Sequence, residues 1–183
     1  MEASMTDENS LEAFIRSIRA DWGPISSEVV ANSLAHMRRL MQVGEAEQWL
    51  AGLHREAPAS RELHRDAEHG FLLLAHTEQQ GLYRPPHDHG RSWVIYGIQQ
   101  GELEIGTYAR IEQADGEVRL VRRDTTILRA GQALPYLPGD IHDTKCLSER
   151  ALLFRFTARD LRIEQHMVRY AEGPGYWTEA KRA

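Results

Sequence analysis

A single cysteine, Cys146, is all this sequence offers for sulfur cross-linking, which excludes an internal disulfide and fits a reducing compartment. Long hydrophobic runs are missing too. The longest apolar stretches, around Phe71–His76 and Ala151–Phe154, fall far short of the roughly 20 residues that span a bilayer. Basic clusters are also missing: 22 Lys and Arg stand against 27 Asp and Glu, a formal net charge of -5. The arginines are scattered, so neither a nucleic-acid footprint nor a membrane-surface patch is expected. The chain opens Met-Glu-Ala-Ser-Met-Thr-Asp-Glu-Asn-Ser, acidic and polar where a secretory leader would be basic and then apolar, and a cytoplasmic protein is the default expectation. Repeats and low-complexity segments are lacking as well.

What is present is one ordinary globular core. A chain of 183 residues with 42% hydrophobic and 27% charged residues suits one domain better than two. The first part reads helical. Ser10 is placed to cap a helix whose Leu11, Phe14, Ile15 and Ile18 share one face. After Pro24, Ser26 or Ser27 caps a second helix carrying Val29, Val30, Leu34, Met37, Leu40 and Met41, with Gly44 at its end. A third is expected over Glu45–Leu53, with Trp49 and Leu50 buried. These stripes read as packing surface.

From Arg61 onward, short segments rich in Val, Ile, Leu, Tyr and Thr alternate with turn residues, the pattern of an all-β sandwich or barrel. Strands are expected at Glu62–Asp66, Gly70–Thr77, Ser92–Gln99, Glu102–Ile111, Glu117–Arg122, Thr125–Leu128, Ala133–Leu137, Asp143–Leu147 and Ala151–Thr157. Gln100-Gly101, Asp115-Gly116 and Ala130-Gly131 supply turns between them. The tail at Glu172–Trp177 reads as irregular. One domain over 1–183 results: a helical layer over about 10–55, a barrel over about 61–160 and a C-terminal extension over 161–183.

The informative segment is Pro85-Pro86-His87-Asp88-His89-Gly90. In extended chain, residues two apart point to one side, so His87 and His89 can grip one ion while Asp88 faces away, better placed to hydrogen-bond backbone or an imidazole. Farther on, Pro138-Gly139-Asp140 turns the chain and presents His142 at the start of a strand. Neutral imidazoles suit Fe, Zn, Cu and Ni.

The pattern Gly81-x5-His87-x-His89-x4-Val94-x6-Gly101, followed by Gly131 and Pro138-Gly139-x2-His142, resembles the two motifs of the cupin superfamily. The resemblance implies a mainly β, double-stranded β-helix (jelly-roll) barrel with metal on His87, His89 and His142. Many cupins carry a metal-binding glutamate where Val94 stands, so a site of three histidines and no carboxylate is implied. This is similar to the thiol dioxygenases, of which cysteine dioxygenase is the best known. That likeness implies Fe(II), with Zn or Ni as alternatives, and O2 with a small anionic thiol as substrates. A homodimer through an outer strand or the helices is common among cupins.

Three residues are catalytic candidates on the same comparison. Ungapped spacing to His87 puts Arg61 where cysteine dioxygenases carry the arginine that clamps the substrate carboxylate, with Arg65 or Arg84 as substitutes. Tyr96 shares strand parity with Val94, and its hydroxyl is expected either near the metal or in a structural hydrogen bond. Where the family has Ser-x-His-x-Tyr, this chain reads Leu153-Phe154-Arg155-Phe156-Thr157. Arg155 is then either a second clamp or half of a buried pair with Glu102 or Glu104. Cys146 reads as a small core residue, and His64, His69, His76 and His166 as structural or solvent-facing. Other readings stay open: an oxygenase or isomerase of a different small carboxylate, or a metal-containing sensor without turnover.

Overall fold

The computed structural model describes residues 8–180; most of the polar N-terminal stretch lies outside them. Three helices come first: α1 (Ser10–Asp21), α2 (Ser27–Met41) and α3 (Gln48–Glu56). Asn9, not Ser10, caps α1. Its side chain accepts from the Glu12 backbone while Glu12 reaches back to the Asn9 N–H, a reciprocal box that satisfies two terminal donors. Ser10 instead gives its hydroxyl to Glu47, at 2.8 Å. Ser26 caps α2, which stops at Gln42, before Gly44. The third helix starts later than expected and ends on Ala57 in left-handed backbone, φ 43°. Leu50 is buried and Trp49 half-buried.

Eleven strands follow: β1 (Arg61–Arg65), β2 (Leu72–Gln79), β3 (Tyr83–His87), β4 (Val94–Gln100), β5 (Glu102–Glu112), β6 (Val118–Arg129), β7 (Ala133–Tyr136), β8 (Ile141–Cys146), β9 (Arg150–Thr157), β10 (Tyr170–Glu172) and β11 (Trp177–Glu179). They form two antiparallel sheets, ordered β1-β2-β9-β4-β7 and β10-β11-β6-β5-β8-β3. From β2 to β9 the chain passes back and forth between the two sheets, except at the β5–β6 hairpin, which stays in one sheet, and this is the winding of a jelly roll. The fold is therefore the mainly β jelly-roll barrel with a helical layer that the sequence leads one to expect.

Three details differ from the sequence reading. β6 is one long strand, because a bulge at Arg123 absorbs the break: Thr107 pairs with Asp124 and Tyr108 with Arg122. The segment Tyr83–His87 is a strand in spite of Pro85 and Pro86, since it lies at a sheet edge where a missing N–H costs no ladder bond. The tail is not irregular: β10 and β11 pair with each other and join β6 through Trp177 and Leu120.

The five-stranded sheet is covered on both faces. One face carries Leu73, Ala75, Ile95, Phe154 and Phe156 against Phe14, Ile18, Met37, Leu40, Leu50 and Leu53 of the helices. The other turns Val94, Tyr96, Ile98, Ala151 and Leu153 into the barrel, against Leu103, Ile105, Leu128 and Cys146. Each large apolar side chain so buried contributes about 1.5–3 kcal/mol. Among the described residues no helix is long and apolar enough to cross a membrane.

One polar group ties the helical layer to the sheet. Asp66, in the turn after β1, accepts from the backbone of Glu68 and His69 and from Arg19 of α1. Burial alone would raise its pKa, but the bonds from His69, Arg19 and His64 outweigh burial and hold the carboxyl well below the usual carboxylate range. A depressed folded-state pKa adds stability that is complete above the unfolded value, near 3.9, and is lost as pH falls toward the folded one. Asp66→Asn should cost about 1–3 kcal/mol at pH 7. The gap between urea melts of the two proteins should begin to narrow below about pH 4 and shrink further as pH falls; a gap that stays constant down to about pH 3 would refute the assignment.

Candidate metal centre

The local backbone explains how three distant histidines meet. Pro138 and Gly139 occupy the centre of a turn in which Asp140 N–H bonds the Leu137 carbonyl at 3.0 Å. Gly139, at φ 85°, takes the left-handed position that such a turn demands. The Asp140 carboxylate closes it by accepting from Leu137 N–H at 2.7 Å. Strand β8 therefore starts at Ile141, and its second residue is His142, paired across the ladder with His87 of β3. His89 lies two residues past His87, in the loop before β4.

One nitrogen from each of His87, His89 and His142 lies within 4.8 Å of the others, and no carboxylate joins the group among the described residues. His142 is fully buried and His89 is 1% exposed; His87 is half-buried at the cavity mouth. Burial first, and their mutual repulsion second, push the pKa of His142 well below the ordinary value and that of His89 down to about 3. Burial lowers His87 as well. All three are neutral imidazoles at pH 7, with lone pairs to give. The Nδ1 of His87 is engaged by the Pro85 carbonyl at 2.9 Å, which leaves Nε2 as the ligand atom. The Nε2 atoms of His89 and His142 both face the Tyr96 hydroxyl, at 3.3 and 3.5 Å. A donor set of three buried neutral imidazoles fits a divalent transition metal, and the group could hold one.

The centre opens into a cavity of about 580 Å³ whose lining includes His76, Glu78, Arg84, Tyr96, Leu153 and Arg155. Burial raises the pKa of the Tyr96 hydroxyl and keeps it protonated. Tyr136, which the sequence did not single out, packs at a tilt against His142 with ring centroids 4.2 Å apart. The segment after β9 closes one side through Leu161, Met167 and Arg169. It is anchored by Asp88, whose carboxylate accepts from Gly90 and Val168 N–H, both at 2.9 Å. Gly90, at φ 59°, is packed so tightly under this segment that a Cβ would lie 2.9 Å from Glu164 and His166.

Of the expected catalytic residues, Tyr96 and Arg155 reach this cavity and Arg61 does not. Arg61 pairs in register with Ala75, which belongs to the helix-facing core. Opposed residues share a face, so Arg61 points away from the barrel and binds Glu56 at 2.6 Å. Arg65 binds Glu62 and Asp160. Arg155 has the opposite parity, lying between Leu74 and Tyr96 on the barrel face. Its expected partners Glu102 and Glu104 alternate with the barrel residues Leu103 and Ile105, and Glu102 holds Arg129; Arg155 makes no ion pair among the described residues, and its Nε has no hydrogen-bond partner. Arg84 lines the cavity but is held by Glu78 at 3.0 Å. His76 is neither surface nor core packing, since it lines the cavity too. The signal for it was legible in β2, where Leu74, His76 and Glu78 alternate with Leu73, Ala75 and Thr77. Cys146 is a buried core residue. His64 leans on Asp66, His69 stacks on Trp22, and His166 is exposed beside Glu164.

No protein-family model matches the chain, and no curated protein matches it. Solved structures do. KdgF from Halomonas sp. is 16% identical with a TM-score of 0.42, over 55% of this chain and 80% of that one. The cupin domain of Cnp3 from Schizosaccharomyces pombe is 14% identical with a TM-score of 0.42, over 54% of this chain and 61% of that one. A cupin superfamily protein from Desulfitobacterium hafniense is 17% identical with a TM-score of 0.42, over 55% and 76%. These likenesses cover little more than half of this chain, and the centre stands on its own residues.

If the three imidazoles hold one ion, His142→Ala should release it while the barrel stays folded. Losing partners of ligands alone weakens metal sites about 10–100-fold, so losing a ligand should cost more than about 100-fold. Metal content after gel filtration, with circular dichroism as the folding control, reads this; full retention would reassign the third ligand.

Proposed function

We propose that this protein is a cupin enzyme with a mononuclear non-haem Fe(II) on His87, His89 and His142, which oxygenates a small anionic thiol. The supporting observation is the pairing of a carboxylate-free histidine group with an uncompensated guanidinium, Arg155, in one cavity. A divalent ion on three neutral ligands keeps its full charge, and Arg155 adds another. The site therefore attracts an anion, which would supply the missing compensation. A bound Fe(II) supplies the chemistry by which O2 reacts with a thiol, RSH + O2 → RSO2H, both oxygen atoms ending on sulfur.

The chain's own residues have separate tasks. Arg155 grips the carboxylate of the substrate through two parallel N–H donors and fixes its orientation. Tyr96, protonated and buried beside two of the histidines, donates a hydrogen bond to an anionic atom bound there. Leu153, Leu161 and Met167 keep that side of the cavity apolar. The volume favours a second reading as well: about 580 Å³ accommodates a larger carboxylate than the smallest thiol acids, oxygenated at a carbon.

Anaerobic loading with Fe(II), followed by oxygen-electrode assays over thiol carboxylates and thiol-free carboxylates, distinguishes the two. Thiol-dependent uptake is expected. Arg155→Lys should lower kcat/KM by about ten- to a hundredfold, the worth of a charge-assisted bond, with iron content unchanged. Absence of uptake with every thiol would sink the thiol reading, and uptake with thiol-free acids alone would replace it with the second.

A further inference from the structure

The barrel face of β2 leaves two buried hydrogen-bond acceptors without partners on residues that line the cavity. Glu78 is 1% exposed. Its Oε1 takes both contacts from Arg84, and its Oε2 has no partner among the described residues. His76 lies two residues earlier on the same side of the strand. Burial holds its pKa down to about 4, against the opposing pull of the Ala59 backbone, so the ring is neutral. Its Nε2 is also buried and unpartnered, and with the ring proton on Nδ1 it offers a lone pair. Residues i and i+2 of a strand sit about 6.5–7 Å apart on one face. Both residues line the cavity that holds Arg155.

Two adjacent acceptors have a definite chemical complement. A carboxylate or phosphate would meet lone pair against lone pair. A hydroxyl has one hydrogen to give. An ammonium has three N–H donors and a charge that the Glu78 oxygen can offset. The Arg84 contact holds Glu78 in place without using Oε2, and no other cation is paired with it among the described residues. Leaving such buried groups unmade is unfavourable, so a ligand that completes both would be selected over one that completes neither.

We propose that the cavity is built for a dipolar substrate: an anionic group at Arg155 and the histidine centre, and at its far end a primary ammonium read by Glu78 and His76. The inference rests on the reading of this cavity as the substrate site and adds the class of molecule it selects. It makes Glu78 and His76 specificity-determining residues that touch the substrate away from the reacting atom.

Calorimetric titration of the full-length protein, as purified and after Zn(II) loading, tests this without turnover. The probes are the ω-amino acids from 3-aminopropanoate to 6-aminohexanoate, each beside the same acid lacking the amine. At one chain length the amino acid should bind at least about tenfold more tightly than its partner, the worth of a charge-assisted hydrogen bond. Glu78→Gln should bring that ratio close to one. Glu78→Gln combined with Arg84→Gln serves as the charge-balanced version should the single variant melt early. His76→Leu, which changes no charge, should lower the ratio several-fold. Arg155→Lys should weaken both members of the pair and keep the ratio. A wild type with no amine preference at any length, or a preference that survives both Glu78 variants, overturns the proposal. Amine preference without thiol-dependent oxygen uptake removes the oxygenase reading alone; uptake without amine preference removes this inference alone.

Discussion

The five-stranded sheet is buried on both faces, and a strand has only two sides. Along β2, β9 and β4 most side chains therefore face either the helical layer or the barrel, and one residue of register decides which. Leu73, Ala75, Ile95, Phe154 and Phe156 take the first side; Val94, Tyr96 and Leu153 take the second. Arg155 lies between Phe154 and Phe156, so the parity that buries those two rings sends the guanidinium into the cavity. The same parity, passed from Ala75 to Arg61 across the β1–β2 ladder, sends Arg61 out. Function in this barrel follows from packing: the apolar residues fix the faces, and the polar residues between them become the site.

The price of that arrangement is electrostatic. The imidazoles of His76, His87 and His89, four guanidinium groups and the Glu78 carboxylate line one cavity, with little water-facing area for the deepest of them. The histidines accommodate burial by staying neutral. Glu78 does so by pairing with Arg84 through one oxygen. Arg155 has no such relief among the described residues, and its field bears on His76, His87, His89 and Tyr96 together. Groups held at that cost serve either specificity of folding or a ligand. Asp66 illustrates the first case: four partners satisfy it and join a helix to a turn. Arg155, His76 and Glu78 carry buried unsatisfied atoms and line the same cavity, as ligand-directed groups do.

Much of this was legible in the sequence, and the exceptions have physical causes. The helical stripes, the turn glycines and the spacing of His87, His89 and His142 are local patterns, and each has one dominant structural solution. Arg61 was misplaced because counting back from His87 ignores both the pleat and the β-bulge between Glu62 and His64. Spacing among the histidines alone gives His76 no role. Its partner is a glutamate two residues on, and only strand alternation joins them. Glu102 and Glu104 do not pair with Arg155 because they alternate along β5 with Leu103 and Ile105, which fill the barrel, so both carboxylates face away from it; Glu102 meets Arg129 there. The tail strands β10 and β11 were hidden for a long-range reason, being short segments whose order comes from docking on β6.

The C-terminal segment shows how closely the ligand strand and the cavity wall are coupled. Asp88 stands between two of the histidines and faces away from them, and there its carboxylate takes the Val168 N–H while its own N–H bonds the Val168 carbonyl. His87 itself bridges to Arg169. The wall carrying Met167 and Arg169 is thus hydrogen-bonded to the very residues that orient the imidazoles, and Gly90 lets the two lie in contact. A side chain at Gly90 would have to displace either the wall or the His89 loop. Cavity shape and histidine placement are therefore one structural variable in this protein, and a change that reshapes the substrate space along this wall should also reach the centre it serves.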